Sequence, residues 1–455
     1  MHTQNFKLTE SLSILCEELR KNTRIDPEAY TKYSVKRGLR NNDGTGVMAG
    51  LTNICNVEGY YLSDGERLPK EGKLYYRGID VEDIIENCQA ENRFGFEEVA
   101  YLLLFGDLPQ KASLENFKQV LSRYRLLPED FIEDMVMKAP SPNLMNKLAR
   151  GVLSLYSYDS NPDDQSLENT LRQSVQLIAQ LPTIMGYAYQ VKRWNYDHKS
   201  MYIHHIVPEH YIAEGILNSI RSNKKFTDAE AKLLDLCLIL HSEHGGGNNS
   251  TFATRVLTSS GTDTYSAIAA GIGSLKGPRH GGANLKVAEM VDDMKANIKD
   301  IGNEGQVADY IAKIVQKEAG DKTGLVYGMG HAVYTLSDPR ATVLRAQLEK
   351  CVVGTELEPE LRLLEMIERL TPEIFAQEKS SEKIISANVD LYSGLVYKHL
   401  NIPQDLYTPL FTIARMAGWC AHRIEEQITG GRIIRPAYKS LSHSRKYIPM
   451  NERNN

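Results

Sequence analysis

The sequence predicts a mainly α protein, either two domains or one large helical body, with a minor β-hairpin near the N-terminus. Three observations carry this expectation. Apolar residues recur at helical spacing along most of the chain, capping signals bracket those runs, and β-rich stretches are few. At 455 residues the chain also exceeds what one hydrophobic core usually organises.

Each element has its local reason. The NNDGTG stretch beginning at Asn41 reads as a flexible turn, because it lacks the Lys-Ser/Thr ending of a phosphate loop. The best strand signal runs from about Leu51 to Tyr61, ahead of YYRGID (Tyr75 to Asp80), and predicts a hairpin. NPDDQS (Asn161 to Ser166) is a surface loop. From Thr227 the sequence TDAE is a capping box, followed by Ala229, Leu233, Leu236, Cys237 and Leu240 on helical spacing. That helix is expected to stop at Gly245 to Gly247, leaving His241 and His244 in its last turn. A second helix follows Gly281 and Gly282 through Val287, Val291, Met294 and Ile298, with His280 just ahead of it. Asp390 is expected to open a third over LYSGLVYKHL, ending before Pro403. Thr408 as N-cap and Pro409 at N1 predict a fourth, with Leu410, Ile413, Ala417, Cys420 and Ile424 on one face. The tail SHSRKYIPMNERNN shows no periodicity and is either frayed or laid on a partner.

Composition excludes several classes. An apolar share of 42% with 24% charged residues is ordinary for a soluble globular chain. The net charge of -5 argues against nucleic-acid binding, which needs a basic face. The six cysteines are scattered, without CxxC spacing, which points to reduced thiols rather than a disulfide frame or zinc site. The polar, acidic opening residues match neither a secretory signal nor an Arg-rich transit peptide. No apolar run approaches the roughly 18 residues that span a bilayer. A cytoplasmic protein is the expectation.

Four short segments concentrate the chemistry: HSEHGGGN (His241 to Asn248), GPRHGGAN (Gly277 to Asn284), GMGHAV leading to DPR (Gly328 to Arg340), and ANVD (Ala387 to Asp390). Glycine permits close backbone approach to a ligand, and histidine titrates near neutral pH. Each segment also has a plainer explanation. His241 and His244, with Glu243, stand at a spacing that suits zinc, but the pattern is not HExxH and lacks a recognisable third ligand. The pair could simply end a helix. A histidine at a helix N-terminus, as His280 is, has its cationic form disfavoured and can donate a hydrogen bond as a neutral ring. Asp390 could be an ordinary N-cap, and Arg340 could merely pair with Asp338 on the surface. Taken singly, Arg340, Arg415 and Arg435 are more often solvated charges than ligands. His331, in a glycine-rich turn, has the fewest plain explanations.

The combination decides between these readings. YYRGIDVEDII and FEEVAYLLLFGDLP (Phe96 to Pro109), then HSEHGGGN, GPRHGGAN, GMGHAV…DPR, NVDLYSG and finally IIRP (Ile433 to Pro436) resemble the citrate synthase family, in order and over nearly the whole chain. The resemblance implies condensation of acetyl-CoA with oxaloacetate and water to give citrate and CoA, the entry step of the tricarboxylic acid cycle. It implies that His280 and Asp390 activate the methyl group of acetyl-CoA and that His331 polarises the ketone. His244, Arg340 and Arg415 would hold the oxaloacetate carboxylates, and Arg435 would complete the same site from the neighbouring subunit of a homodimer. The turn Leu325, Val326, Tyr327, Gly328 and Gly330 would lie against CoA by backbone contacts. A small mobile domain over residues 282–403 would close on a large domain made of 1–281 and 404–455. No metal and no cofactor are implied, since acetyl-CoA is a substrate. Two positions depart from the family pattern: Met329, in a packing position, and Thr335, where many relatives place a basic side chain that reaches CoA phosphate. That leaves phosphate recognition to other residues, for which Lys276 and Arg279 are candidates only by proximity to His280.

The chemistry explains why these residue types are needed. A thioester α-carbon is a very weak acid, so a carboxylate base needs a donor on the thioester oxygen, where charge develops. The acceptor is a small dianion, and the planar guanidinium fork matches its carboxylates. A 2-methylcitrate synthase using propionyl-CoA would employ the same residues, and one methylene is worth only about 1–3 kcal/mol of discrimination. A reading from a different class is a zinc hydrolase centred on His241, Glu243 and His244.

Overall fold

The computed structural model describes every residue except 1–8, 23, 42, 65, 380–383 and 454–455. The start of the polar N-terminal stretch, one residue of the NNDGTG turn and the last two residues of the tail therefore lie outside the described residues. The chain divides into two compact units, one of Met1–Met48 with Arg435–Asn455 and the other of Ala49–Ile434.

In the smaller unit the chain forms the helices Glu10–Asn22 and Glu28–Lys32 and short 3-10 turns at Arg37–Leu39 and Met450–Glu452. Apolar side chains stay exposed on it, among them Ile14, Leu15, Leu19, Tyr438, Tyr447 and Met450.

The larger unit is mainly helical, as the periodicity predicts. Its sheet is a three-stranded antiparallel meander of β1 (Cys55–Ser63), β2 (Glu66–Tyr76) and β3 (Ile79–Asp80). The expected hairpin is thus present, and its second strand covers ERLPKEGKLYY, a stretch with too many charges to read as a strand. The β1–β2 register slips between Glu58 and Tyr60, so Gly59 sits at a bulge. Asp80 ends β3 and caps the helix Val81–Ala90, accepting from the Glu82 N–H.

The helix Tyr407–Ile428 is the axis of this unit. It is buried on nearly every side, as a helix apolar all round must be. It packs against Phe96–Phe105, Leu144–Leu155, Leu167–Asn195, Asp228–His241, Asn249–Ser259, Thr264–Leu275 and Ala283–Asn297. The cost of that position falls on the polar residues it carries, since buried polar groups need partners. Arg423 finds its partners in Thr264 Oγ1 (3.0 Å), Thr258 Oγ1 (3.2 Å) and the Thr262 carbonyl (2.9 Å). Thr408 is not the N-cap: the helix starts at Tyr407 after Leu406, and the Thr408 hydroxyl donates instead to the Gly281 carbonyl at 2.9 Å. Pro409 still falls in the first turn, where a missing N–H costs nothing.

The helix Asp228–His241 has the predicted capping box, Thr227 accepting from the Glu230 N–H and Glu230 accepting in return. The remaining helices near the site are Pro339–Val352, Glu358–Lys379 and Val389–His399. The expected domain boundaries fall in the turns flanking Ala283–Asn297 on one side and following Val389–His399 on the other. Among the described residues no helix is long and apolar enough to cross a membrane.

The helix Asp228–His241 leads directly into the turn that carries His244. Thr227→Ala removes its cap and is expected to cost about 1 kcal/mol. Urea unfolding should show this as a lower midpoint with an unchanged slope.

Candidate active site

Four loop-to-helix junctions bring their side chains together around the central helix. The helix Asp228–His241 delivers His244 in the turn that follows it, 8% exposed. The His244 ring stands edge-on to His331, with centroids 5.1 Å apart, and its Nε2 lies 3.3 Å from the Tyr334 hydroxyl. Burial and then the cation of Arg340 hold the His244 pKa well below the ordinary imidazole value. It is a neutral ring.

His331 has its tautomer set by its own turn. Its Nδ1 accepts from the Val333 N–H at 3.0 Å and from the Tyr334 N–H at 3.1 Å. Nδ1 is therefore unprotonated in the neutral ring, and Nε2 carries the hydrogen that can be donated. The Tyr334 ring packs 4.6 Å away at 30° and restricts ring rotation.

His280 follows the same logic with the nitrogens exchanged. Its Nε2 accepts from the Ser250 N–H at 3.3 Å and lies 3.0 Å from the Ser250 hydroxyl, which leaves Nδ1 as the N–H donor. Burial, and then the charge of Arg415, push its pKa down to about 4. The neutral state expected of His280 is present. Burial and the neighbouring Arg415 cation favour it, and the ring bonds Ser250 rather than capping the helix Ala283–Asn297.

Arg340 does pair with Asp338, but not on the surface. Both are buried, and the guanidinium grips the carboxylate as a fork through Nε (3.0 Å) and Nη2 (2.8 Å). Asp338 also caps Pro339–Val352 and accepts from the Val389 N–H at 3.2 Å, which ties that helix to the start of Val389–His399. Burial opposes the Arg340 charge, and Asp338 more than restores it.

Asp390 is not the N-cap of its helix. Asn388 is, with its Oδ1 accepting from the Asp390 N–H at 3.0 Å, so the Asp390 carboxylate is not consumed in capping. Desolvation pushes its pKa up to about 6, against the lowering pull of Arg340. This is a carboxylate poised as a base at neutral pH.

Arg415 projects from the buried middle of Tyr407–Ile428. Its Nε donates to the His241 carbonyl at 2.8 Å, while Nη1 and Nη2 are buried without a hydrogen-bond partner. Burial lowers its pKa, and the charge acts on His244, His280, Asp390 and Arg340 alike. Two unpaired guanidinium donors in a desolvated place form a seat for a carboxylate.

His241 contributes its backbone carbonyl only. Its ring packs on Phe411 with centroids 4.5 Å apart, and burial drives its pKa well down. Glu243 accepts from the His244 N–H at 2.9 Å and lies 3.2 Å from His422 Nε2. Among the described residues no group of three or more His, Cys, Asp and Glu side chains is placed to hold a metal ion.

The turn Leu325 to Gly330 runs beside this centre, and part of its backbone is already bonded. Gly330 N–H donates to the Ser386 carbonyl at 2.7 Å, and the Gly328 carbonyl accepts from the Asn388 N–H at 2.9 Å. Asn388 Nδ2 adds a bond to the Gly330 carbonyl at 2.9 Å. The turn is therefore hydrogen-bonded to the segment that leads into the Asp390 helix. Arg435 is exposed and falls in the smaller unit, outside the body that carries the other residues. Sequence reasoning overlooked Tyr334, Ser250 and Asn388, and saw Asp338 only as a surface partner. The D-P pair ahead of Arg340 was the available signal, being the mark of an N-cap with proline at N1.

A neutral donor ring, a raised carboxylate and a cationic seat together suit proton abstraction next to a carbonyl, followed by capture by an anionic electrophile. Asp390 must be ionised to act as a base, so kcat/KM should fall about tenfold per pH unit below about pH 6. A carboxyl pKa raised by folding also means that stability is lost as pH climbs from about 4 to about 6. Asp390→Asn should therefore melt higher than the wild type at pH 7.5, with the gap closing near pH 4, as calorimetry can check.

Comparison with known proteins agrees with this chemistry. The family model described as "Citrate synthase, C-terminal domain" matches residues 41–437. Citrate synthase from Synechocystis sp. is 32% identical over 415 residues, covering 90% of this chain and 92% of that protein. The 2-methylcitrate synthase 1 of Corynebacterium glutamicum is 31% identical over 427 residues, covering 92% and 98%. The crystal structure of citrate synthase from Thermotoga maritima superposes with a TM-score of 0.72 at 28% identity, covering 92% of this chain and 100% of that one. The ternary complex of citrate synthase from Thermoplasma acidophilum with carboxymethyl coenzyme A and oxaloacetate gives 0.74 at 26% identity, covering 92% and 99%. With its motifs in order and its fold shared over 92% of its length, the chain belongs to the citrate synthase family and is an acyltransferase of that type.

Proposed function

We propose that the protein condenses acetyl-CoA with oxaloacetate and hydrolyses the product to citrate and CoA. The observation that carries this reading is the opposed tautomers of His280 and His331, each fixed by backbone N–H donors and each left with one ring N–H to donate. Asp390 takes a proton from the acetyl methyl group while His280 Nδ1–H donates to the thioester oxygen, so that an enolate forms without free charge in a dry site. The enolate carbon attacks the ketone of oxaloacetate. His331 Nε2–H stabilises or protonates the resulting alkoxide, and water then cleaves the thioester and releases CoA as the thiol. Arg340, Arg415 and His244 hold the oxaloacetate carboxylates. Leu325, Val326, Tyr327, Gly328 and Gly330 supply the wall for CoA.

Closure of residues 282–403 over the rest would exclude water before condensation. Arg435 would serve the site of a second copy. Its exposure and its place in the smaller unit, beside the uncovered apolar side chains of that unit, support such a homodimer. Relatives named both citrate synthase and 2-methylcitrate synthase match this chain, so propionyl-CoA is the competing substrate.

Comparing kcat/KM for acetyl-CoA and propionyl-CoA decides the choice, and a propionyl preference overturns it. Arg415→Leu is expected to raise KM for oxaloacetate by about 100-fold or more, because a charged pair of hydrogen bonds is worth about 1.5–3 kcal/mol each. Mixed subunits test the dimer. Arg435→Ala and Asp390→Ala, each inactive alone, should regain activity together, since one of the two hybrid sites is then intact. No recovery would argue against a shared site.

A further inference from the structure

The β1–β2 hairpin supplies none of the residues used by the proposed function, yet it is joined to the segment that carries three of the site's side chains. The contact is close. A Cβ on Gly59 would lie 2.5 Å from the Tyr334 Cα, and one on Gly72 would lie 2.2 Å from the Ser337 carbonyl oxygen. Only glycine lets the two backbones approach so far. Around these contacts the polar groups interlock. Arg67 Nη2 donates to the Val333 carbonyl at 3.0 Å, and the Gly72 N–H donates to Ser337 Oγ at 3.1 Å. Thr335 Oγ1 accepts from the Lys70 N–H at 3.1 Å, and its own proton is shared between the carbonyls of Gly59 and Lys70.

This joint sits between the reacting groups. Val333, held by Arg67 through its carbonyl, uses its N–H to fix the Nδ1 of His331, and Tyr334 does the same. Three residues beyond Thr335, Asp338 holds Arg340. The hairpin also reaches the other glycine turn: Tyr76 Oη donates to the Ile239 carbonyl at 2.9 Å, and Val57 packs against Gly245. A threonine on a loop is ordinarily solvated, and its loss ordinarily costs little. Here its single oxygen has three backbone partners on another element. It also turns toward the hairpin, although at this position a basic side chain would be expected to reach outward to CoA.

We infer that Thr335 is a positioning residue whose hydroxyl clips the segment bearing His331, Tyr334 and Arg340 onto the β1–β2 hairpin, and so sets the oxaloacetate side of the site. The assignment of substrates rests on the proposed function. The clip itself rests on the hydrogen bonds and close contacts.

Thr335→Val keeps the side-chain shape and deletes the hydroxyl. It is expected to raise KM for oxaloacetate about tenfold, while KM for the acyl-CoA stays within about twofold. Thr335→Ser should restore the oxaloacetate value. Amide exchange without substrate should become faster at residues 57–74 and 331–337 in the valine variant and not in the serine variant. A change in acyl-CoA KM alone, or in neither KM, overturns the inference. If the wild type releases no CoA from either acyl-CoA with oxaloacetate, the proposed function fails; exchange still decides the clip, and unchanged protection refutes it. Should the valine variant not fold, Ser337→Ala, which removes the acceptor of the Gly72 N–H, carries the same two readouts.

Discussion

The buried carboxylate of Asp338 is the interaction on which the site depends. It closes the guanidinium fork of Arg340, caps the helix Pro339–Val352 that carries Arg340 in its first turn, and accepts the first N–H of the helix that carries Asp390. Removing it would leave Arg340 as an uncompensated charge in a desolvated place, which is among the costliest single changes a fold can suffer. One oxygen pair thus sets the distance between the Arg340 guanidinium and the helix that carries the Asp390 carboxylate. Desolvation raises the Asp390 pKa, and the pair acts on it with opposite signs, Arg340 lowering it and Asp338 raising it.

Desolvation is the second common cause in the site. It depresses His244 and His280, raises Asp390, and weakens the charge of Arg415. The result is an arrangement of neutral rings around cations, in which hydrogen-bond direction is decided by the backbone. Val333, Tyr334 and Ser250 choose the tautomers, and none of them has a side chain that chemistry would single out for that purpose. Donors fixed in advance need no reorganisation when charge develops, which is the physical basis of electrostatic catalysis.

Much of this was legible in the residues. The capping box at Thr227, the helical period and the order of the four segments located the helices around the site and most of the ionisable groups gathered there. The helix expected to run to Gly245, however, ends at His241 and leaves His244 in the following turn. The misplacements share a cause. Asp390 and Thr408 look like N-caps because both types favour that position, yet Asn388 and Leu406 take it. The freed side chains are a carboxylate left available in the site and a hydroxyl that makes a tertiary bond to Gly281. Strand β2 was hidden because its charges lie on exposed or half-covered positions of a hairpin, where alternation is weak.

The sequence alone determined which chemical groups exist and on which helices they ride, since period and caps act within a few residues. What the tertiary structure decided was everything that depends on approach between distant segments. That includes which arginine is paired and which is left with free donors, which ring nitrogen carries the hydrogen, and that Thr335 faces a hairpin more than 250 residues away in the chain. Burial and hydrogen-bond direction are properties of neighbours, and neighbours are not written in local pattern.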